Sequence, residues 1–193
     1  MKIKEYQNKT ILKGMNLAQI EDWCKENGHS SYRAKQIYQW MYKHGVESAE
    51  DMNNISKKLR DDIESHYILK TLDVEKIDKS RSEPTQKILF KTRDNHFIEA
   101  VSMVDDNRHT ICLSSQIGCN VDCSFCATAT MGLIRNLLPG EIIDQAITIR
   151  HLVKEPITNV VFMGMGEPFL NYDRVLEAAD ILHSHDGFGL GAK

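Results

Sequence analysis

A chain of 193 residues, 41% hydrophobic and 26% charged, is long enough to bury a core as one or two globular domains. The opening MKIKEYQNKTILKGMNL contains no uninterrupted apolar run resembling a signal peptide, and no later segment approaches the length of a membrane span, so the expectation is a soluble cytoplasmic protein. The net charge of -3 hides a basic front: residues 1–60 carry 11 Lys/Arg against 7 Asp/Glu, and residues 61–193 carry 13 against 20. That asymmetry suits a nucleic-acid-facing module, and an ordinary solvated helical surface would produce it as well.

The first third reads as helices. In NLAQIEDWCKENG, Leu17, Ile20, Trp23 and Cys24 recur at helical spacing between Asn16, placed to cap, and Gly28, placed to end. Cys24 on that apolar face is read as a small buried hydrophobe. SSYRAKQIYQWMYKHG repeats the pattern through Ala34, Ile37, Tyr38 and Met41 up to Gly45, and SAEDMNNISKKLRDDIESH continues it through Met52, Ile55 and Leu59. Residues 1–66 are therefore predicted to form a small helical domain.

The texture then changes to short, partly alternating runs, LKTLDVEKIDKS, TQKILFKTR and HFIEAVSMV, separated by the turn signals RSEP and DN. This predicts an antiparallel β extension over 67–107. From residue 108 the order becomes strand (HTICLSSQ), cysteine loop, amphipathic helix (PGEIIDQAITIRHLVK, with Ile142, Ala146, Ile149 and Val153 aligned), buried strand (ITNVVFMG), Gly-rich turn and helix (NYDRVLEAADILHSH, with Val175, Ala179 and Leu182 aligned). A βαβα order predicts an α/β class with a parallel sheet or barrel over 108–193.

Four of the five cysteines lie between residues 112 and 126. In a reducing cytoplasm such a cluster reads as metal or redox chemistry rather than disulfide staples. Cys119, Cys123 and Cys126 form C-x3-C-x2-C directly after a predicted strand. Three thiolates suit a cubane iron–sulfur cluster whose fourth iron stays open to bind something else, whereas zinc commonly takes a closed set of four. Cys112 could complete a zinc set, although its side-chain direction within a strand is fixed by the pleat. Downstream, NVVFMGMGEP puts Gly164, Gly166 and Glu167 at the carboxyl end of the second parallel strand, where α/β folds place ligands. Glycines there allow close backbone approach, and Glu167 can accept hydrogen bonds from an ammonium group.

The cysteine motif, with Phe125 before its last cysteine, resembles that of the radical S-adenosylmethionine (SAM) enzymes. That resemblance implies a [4Fe–4S] cluster on Cys119, Cys123 and Cys126. It also implies SAM chelated through its amino and carboxylate groups to the open iron and cleaved to a 5'-deoxyadenosyl radical, with Gly166 and Glu167 holding the amino group. Taken with SSYRAKQIYQWMYKHG, CLSSQIGCNVDCSFCATATMGLIRNL and NVVFMGMGEPFLNYDRV, nearly the whole chain resembles the RlmN family of dual-specificity rRNA and tRNA adenine carbon-2 methyltransferases. The fold this implies is a helical accessory domain, a β extension and the first part of a partial (β/α)6 barrel.

By the same resemblance, the substrates are an adenosine of 23S rRNA at the peptidyl transferase centre and the adenosine beside the anticodon of certain tRNAs. Phosphate neutralisation would use the basic front, with Lys57, Lys58 and Arg60 as candidates. A downstream cysteine carries the methyl group, Cys112 resolves the covalent enzyme–RNA adduct by forming a disulfide, and Glu99 accepts the proton that the base loses. The resemblance further implies an electron donor such as a flavodoxin or ferredoxin, a monomer, and no membrane partner. No cysteine follows Cys126, so the expectation is an N-terminal part of a longer enzyme, with only about two βα units and no methyl transfer by itself. The rival readings are the sister family that methylates carbon 8 of the same adenine, and a non-catalytic RNA-binding protein with a zinc knuckle.

Overall fold

The structure is a computed structural model describing residues 5–6 and 9–191. Its chain divides into two compact units, Met1–Thr71 with Glu177–Lys193, and Leu72–Leu176. No helix among the described residues is long and apolar enough to cross a membrane.

In the first unit β1 (Glu5–Tyr6) and β2 (Lys9–Ile11) precede α1 (Leu17–Glu26). Asn16 and Gln19 cap α1 reciprocally, the Gln19 N–H donating to Asn16 Oδ1 at 2.9 Å and the Asn16 N–H to Gln19 Oε1 at 2.8 Å. Ile20, Trp23 and Cys24 are buried on its inner face, as the spacing predicts. α2 (Tyr32–Tyr38) runs into a π-helical turn, Gln39–His44, that ends at Gly45 in the left-handed region. Tyr42 on that turn is fully buried; its hydroxyl donates to the Met15 carbonyl and accepts from the Gly14 N–H, both at 2.8 Å.

The single helical pattern expected over residues 48–66 is broken. Ser48 caps a 3-10 turn, Ala49–Asp51, and α3 (Lys57–His66) begins only after Ser56. Asn54 explains the gap, because its polar atoms are spent on tertiary partners: Oδ1 accepts from Trp40 Nε1 at 2.6 Å and its carbonyl from Arg33 Nη1 at 3.1 Å. β3 (Tyr67–Ile68) then pairs in parallel with β2, which completes a three-stranded sheet that helical periodicity does not reveal.

The second unit is built on a five-stranded sheet. β4 (Leu72–Lys79), β5 (Thr85–Thr92), β6 (Phe97–Asp105) and β7 (Arg108–Cys112) form an antiparallel meander with the turns where RSEP and DN place them. β8 (Gln116–Gly118) and β9 (Leu133–Asn136) make a separate two-stranded ribbon. α4 (Pro139–Leu152) follows, and β10 (Asn159–Val161) returns to pair in parallel with β7, giving the order β10-β7-β6-β5-β4. The β extension and the first strand of the parallel region are thus one continuous sheet. α5 (Tyr172–His183) closes the order of elements, preceded by a 3-10 turn, Pro168–Asn171.

Three expectations change here. α4 is not amphipathic: Pro139 through Ile147 are all buried, including Glu141, Asp144 and Gln145, because the first and last of these are hydrogen-bonded inside the unit. β10 is half-exposed rather than buried, since β7 is its one neighbour among the described residues. In α5 the buried stripe is Val175, Ala178, Ile181 and Leu182, one position away from Ala179.

Candidate functional site

Around the cysteines the chain is shaped by buried polar residues. The predicted strand HTICLSSQ is two strands, β7 ending at Cys112 and β8 beginning at Gln116. Ser114 interrupts the ladder between them: its N–H donates to Gln145 Oε1 at 2.8 Å instead of to a strand neighbour, and its hydroxyl donates to the Glu99 carbonyl at 2.6 Å. The same hydroxyl accepts from the Met165 N–H at 2.8 Å.

Cys119 follows β8 directly, so the cysteine loop closes the β8–β9 ribbon and does not continue the strand of the main sheet. At Gly118, with φ 73°, any side chain would run into the Gly132 carbonyl oxygen across the ribbon. The Cys119 N–H donates to that same carbonyl at 3.1 Å. A turn in which the Cys126 N–H donates to the Cys123 carbonyl at 3.0 Å leads into a 3-10 helix, Ala127–Met131. Cys119 is buried, Cys123 and Cys126 are half-buried, and Phe125 between them is 91% exposed.

The Cys126 thiol is held below the ordinary range by the backbone N–H of Thr128, then by that of Ala129. Donors aimed at sulfur favour the thiolate, the form that ligates iron. No group of three or more His, Cys, Asp and Glu side chains among the described residues is gathered closely enough to hold a metal ion. As a donor set Cys119, Cys123 and Cys126 fit a three-thiolate cluster, being soft sulfur ligands on one short loop with the last already biased toward the thiolate.

Cys112 stands apart as a free thiol at the end of β7. Burial pushes it above the ordinary thiol range, offset in part by a hydrogen bond with the Met163 backbone. Its Cα partner on β6 is Val101, and strand alternation puts Glu99, two residues away, on the same face of the sheet as Cys112. Glu99 Oε1 meets Lys87 Nζ of β5 at 3.0 Å, and this partner holds the lysine ammonium above its ordinary range.

The Gly-rich turn lies against the same segment. A Cβ on Gly164 would come 2.8 Å from the Leu113 backbone, and one on Gly166, where φ is 97°, would come 2.5 Å from Gln116 Cβ. The space a Cβ would fill at these two positions is taken by Leu113, Ser114 and Gln116, so the turn packs directly on that segment. Glu167 is half-buried and caps the 3-10 turn, its Oε1 accepting from the Phe169 N–H at 3.0 Å. One carboxylate oxygen is thereby engaged, and Oε2 takes no hydrogen bond from the described residues.

Sequence reasoning missed the residues that build this frame. Ser114, Ser115 and Gln116 are all buried. A run of three polar residues at the end of an apolar strand was the available signal. Arg135 also went unread. It bridges Asp94 of the β5–β6 turn and Glu141 of α4, each carboxylate meeting Arg135 Nη2 at 2.7 Å. The Arg135 guanidinium holds the Asp94 carboxyl well below the usual carboxylate range. Lys57 and Lys58 are exposed at the start of α3 in the first unit, where the Arg60 guanidinium is tied to the Glu50 carbonyl at 2.8 Å.

Comparison with known proteins gives concordant matches. Residues 10–69 match the family described as the ribosomal RNA large subunit methyltransferase N-terminal domain, and residues 113–190 match the radical SAM superfamily. The "probable dual-specificity RNA methyltransferase RlmN" of Aquifex aeolicus is 43% identical over 178 residues, covering 92% of this chain and 51% of its own length. Its namesake from Flavobacterium johnsoniae is 36% identical, covering 96% and 54%. The crystal structure of a radical SAM methyltransferase from Sphaerobacter thermophilus superposes with a TM-score of 0.88 at 38% identity, over 94% of this chain and 54% of that one. The chain spans about half the length of the relatives it matches.

Proposed function

Because this chain belongs to the RlmN family of radical SAM proteins, whose cofactors are a [4Fe–4S] cluster and SAM, we propose that it carries the cluster-binding and adduct-resolving part of an RNA adenine methyltransferase. The reaction is methylation of carbon 2 of an adenosine in 23S rRNA at the peptidyl transferase centre, and of the adenosine beside the anticodon in some tRNAs. Bound together, the cluster and SAM supply a radical able to take hydrogen from an unactivated carbon.

The chain's own residues take the remaining roles. Cys119, Cys123 and Cys126 hold the cluster, and Gly166 and Glu167 hold the amino group of SAM. Glu99 accepts the proton that the adenine ring loses. Cys112 forms a disulfide with the methyl-carrying cysteine and so frees the RNA; burial raises its thiol above the ordinary range. Residues 1–66 face the RNA, 67–107 form the β extension, and 108–193 begin the barrel. The electron donor is of the flavodoxin or ferredoxin class, and the protein works as a cytoplasmic monomer.

The observation that carries this reading is the shared face of β6 and β7, which sets Glu99 and Cys112 on one side of the sheet, apart from the three-cysteine loop that closes the β8–β9 ribbon. Anaerobic reconstitution with iron and sulfide tests it. The chain is expected to turn brown and take up a full cubane, which Cys→Ser at 119, 123 or 126 abolishes and Cys112→Ser or Cys24→Ser does not. A colourless protein holding one zinc through four thiols that include Cys112 would overturn it.

A further inference from the structure

Gln116 is 0% exposed, and every polar atom of its side chain is engaged. Its Oε1 accepts from the Glu167 N–H at 2.8 Å, and its Nε2 donates to Asn136 Oδ1 at 2.7 Å. Its backbone N–H donates to the Met165 carbonyl at 3.1 Å, and its Cβ fills the space in front of Gly166. Asn136, at the end of β9, donates in turn to the Leu170 carbonyl at 3.2 Å. One side chain thus ties together both strands of the ribbon that carries the cysteine loop and the Gly166–Glu167 turn, and Cys119 lies three residues further along the chain.

We propose that Gln116 is a positioning residue that holds Glu167 in register with the cysteine loop, so that SAM's amino group and the cluster are offered to one molecule at once. This rests on the function proposed above. Glu167 has a carboxylate oxygen engaged by its own 3-10 turn, so the peptide that carries it must be fixed from outside the turn. Gln116 Oε1 does that through the Glu167 N–H. Without that acceptor the part-buried N–H loses its partner, and the turn shifts to reach another. A glutamine serves where an aliphatic residue of similar size does not, because the site needs an acceptor toward Glu167 and a donor toward Asn136 from one planar group.

Two measurements on wild type, Gln116→Leu, Gln116→Glu and Asn136→Ala test this. The first is hydrogen exchange at the Glu167 amide in the cofactor-free chain. The second is SAM affinity of the anaerobically reconstituted chain, read from the change in the reduced cluster's electron paramagnetic resonance signal. Gln116→Leu is expected to speed Glu167 exchange and to weaken SAM binding, each by about tenfold or more, the loss of one buried hydrogen bond, while iron content stays at the wild-type level. Gln116→Glu, which keeps an acceptor toward the Glu167 N–H but loses the donor toward Asn136 and buries a charge, is expected to restore only part of the Glu167 protection. Wild-type SAM affinity in Gln116→Leu at full iron content overturns the proposal. If Gln116→Leu fails to fold, Asn136→Ala decides, since it keeps Gln116 and removes its far anchor together with the Asn136 bond to the Leu170 carbonyl; unchanged exchange and affinity there are equally fatal. Should wild type take up no cluster, the proposed function fails, and the exchange measurement still judges Gln116 by itself.

Discussion

The three classes of thiol in this chain differ in what surrounds the sulfur. Cys24 is fully buried in α1 and pushed up to about 11 by burial. Cys112 is raised by burial to a lesser degree, and Cys126 is lowered by two backbone N–H donors, that of Thr128 first. Since the thiolate is the nucleophile, reactivity near neutral pH follows the fraction ionised. Alkylation of the cofactor-free protein by iodoacetamide, followed by peptide mass spectrometry, should modify Cys126 first, Cys112 severalfold more slowly, and Cys24 only on unfolding. Modification of Cys112 ahead of Cys126 would contradict the environments described for them. Spacing puts Cys119, Cys123 and Cys126 on one short loop, and the structure has Cys112 apart from them at the end of β7. The helper residues were not legible in the sequence: a polar side chain in an apolar stretch says that a partner exists, and only the fold says that Gln116's partner is a backbone N–H some fifty residues away.

Among the elements, the β8–β9 ribbon depends on a polar anchor. Arg135 of β9 is clamped by Asp94 and Glu141, with side-chain exposures of 13%, 30% and 3%. The Asp94 carboxyl lies below its unfolded value of about 3.9, because Arg135 and then Thr92 hydrogen-bond the charged form. Its stabilising contribution is therefore complete above that unfolded value and is lost as pH falls through the folded one. Asp94→Asn should cost about 1–2 kcal/mol at pH 7, the range for a charged hydrogen bond at a partly exposed site. The difference from wild type should shrink in acid. Urea midpoints at pH 7 and pH 3 check this, and a constant difference between them would rule out the carboxylate as the cause. Helix starts such as Asn16–Gln19 and the meander β4–β7 were readable because caps, turns and alternation are local signals. The break before α3, the buried α4 and the edge position of β10 depend on distant partners, so local periodicity misreads them.

For the molecule as a whole, the proposed order of assembly is cluster first and SAM second, because the open iron of a bound cluster would be the anchor for SAM. A ligand that binds only the folded, cluster-loaded state stabilises it by about 2.7 kcal/mol at a hundredfold excess over its dissociation constant. Scanning calorimetry should show SAM raising the melting temperature of reconstituted protein by several degrees and leaving cofactor-free protein unmoved. An equal rise in both would separate SAM binding from the cluster.

β7 has one antiparallel neighbour, reached through a tight turn, and one parallel neighbour, reached only after the ribbon and α4 have been traversed. Pairings between strands adjacent in sequence close short loops and form quickly, whereas a parallel crossover must bring distant segments together. During synthesis the meander β4–β7 can therefore be in place while β10 is still to be made. In that interval Cys112 sits on an open strand edge beside Val101 alone. The residue assigned to resolve the adduct thus gains its second strand neighbour, Val161, only when β10 docks, together with Thr110 and Ile111.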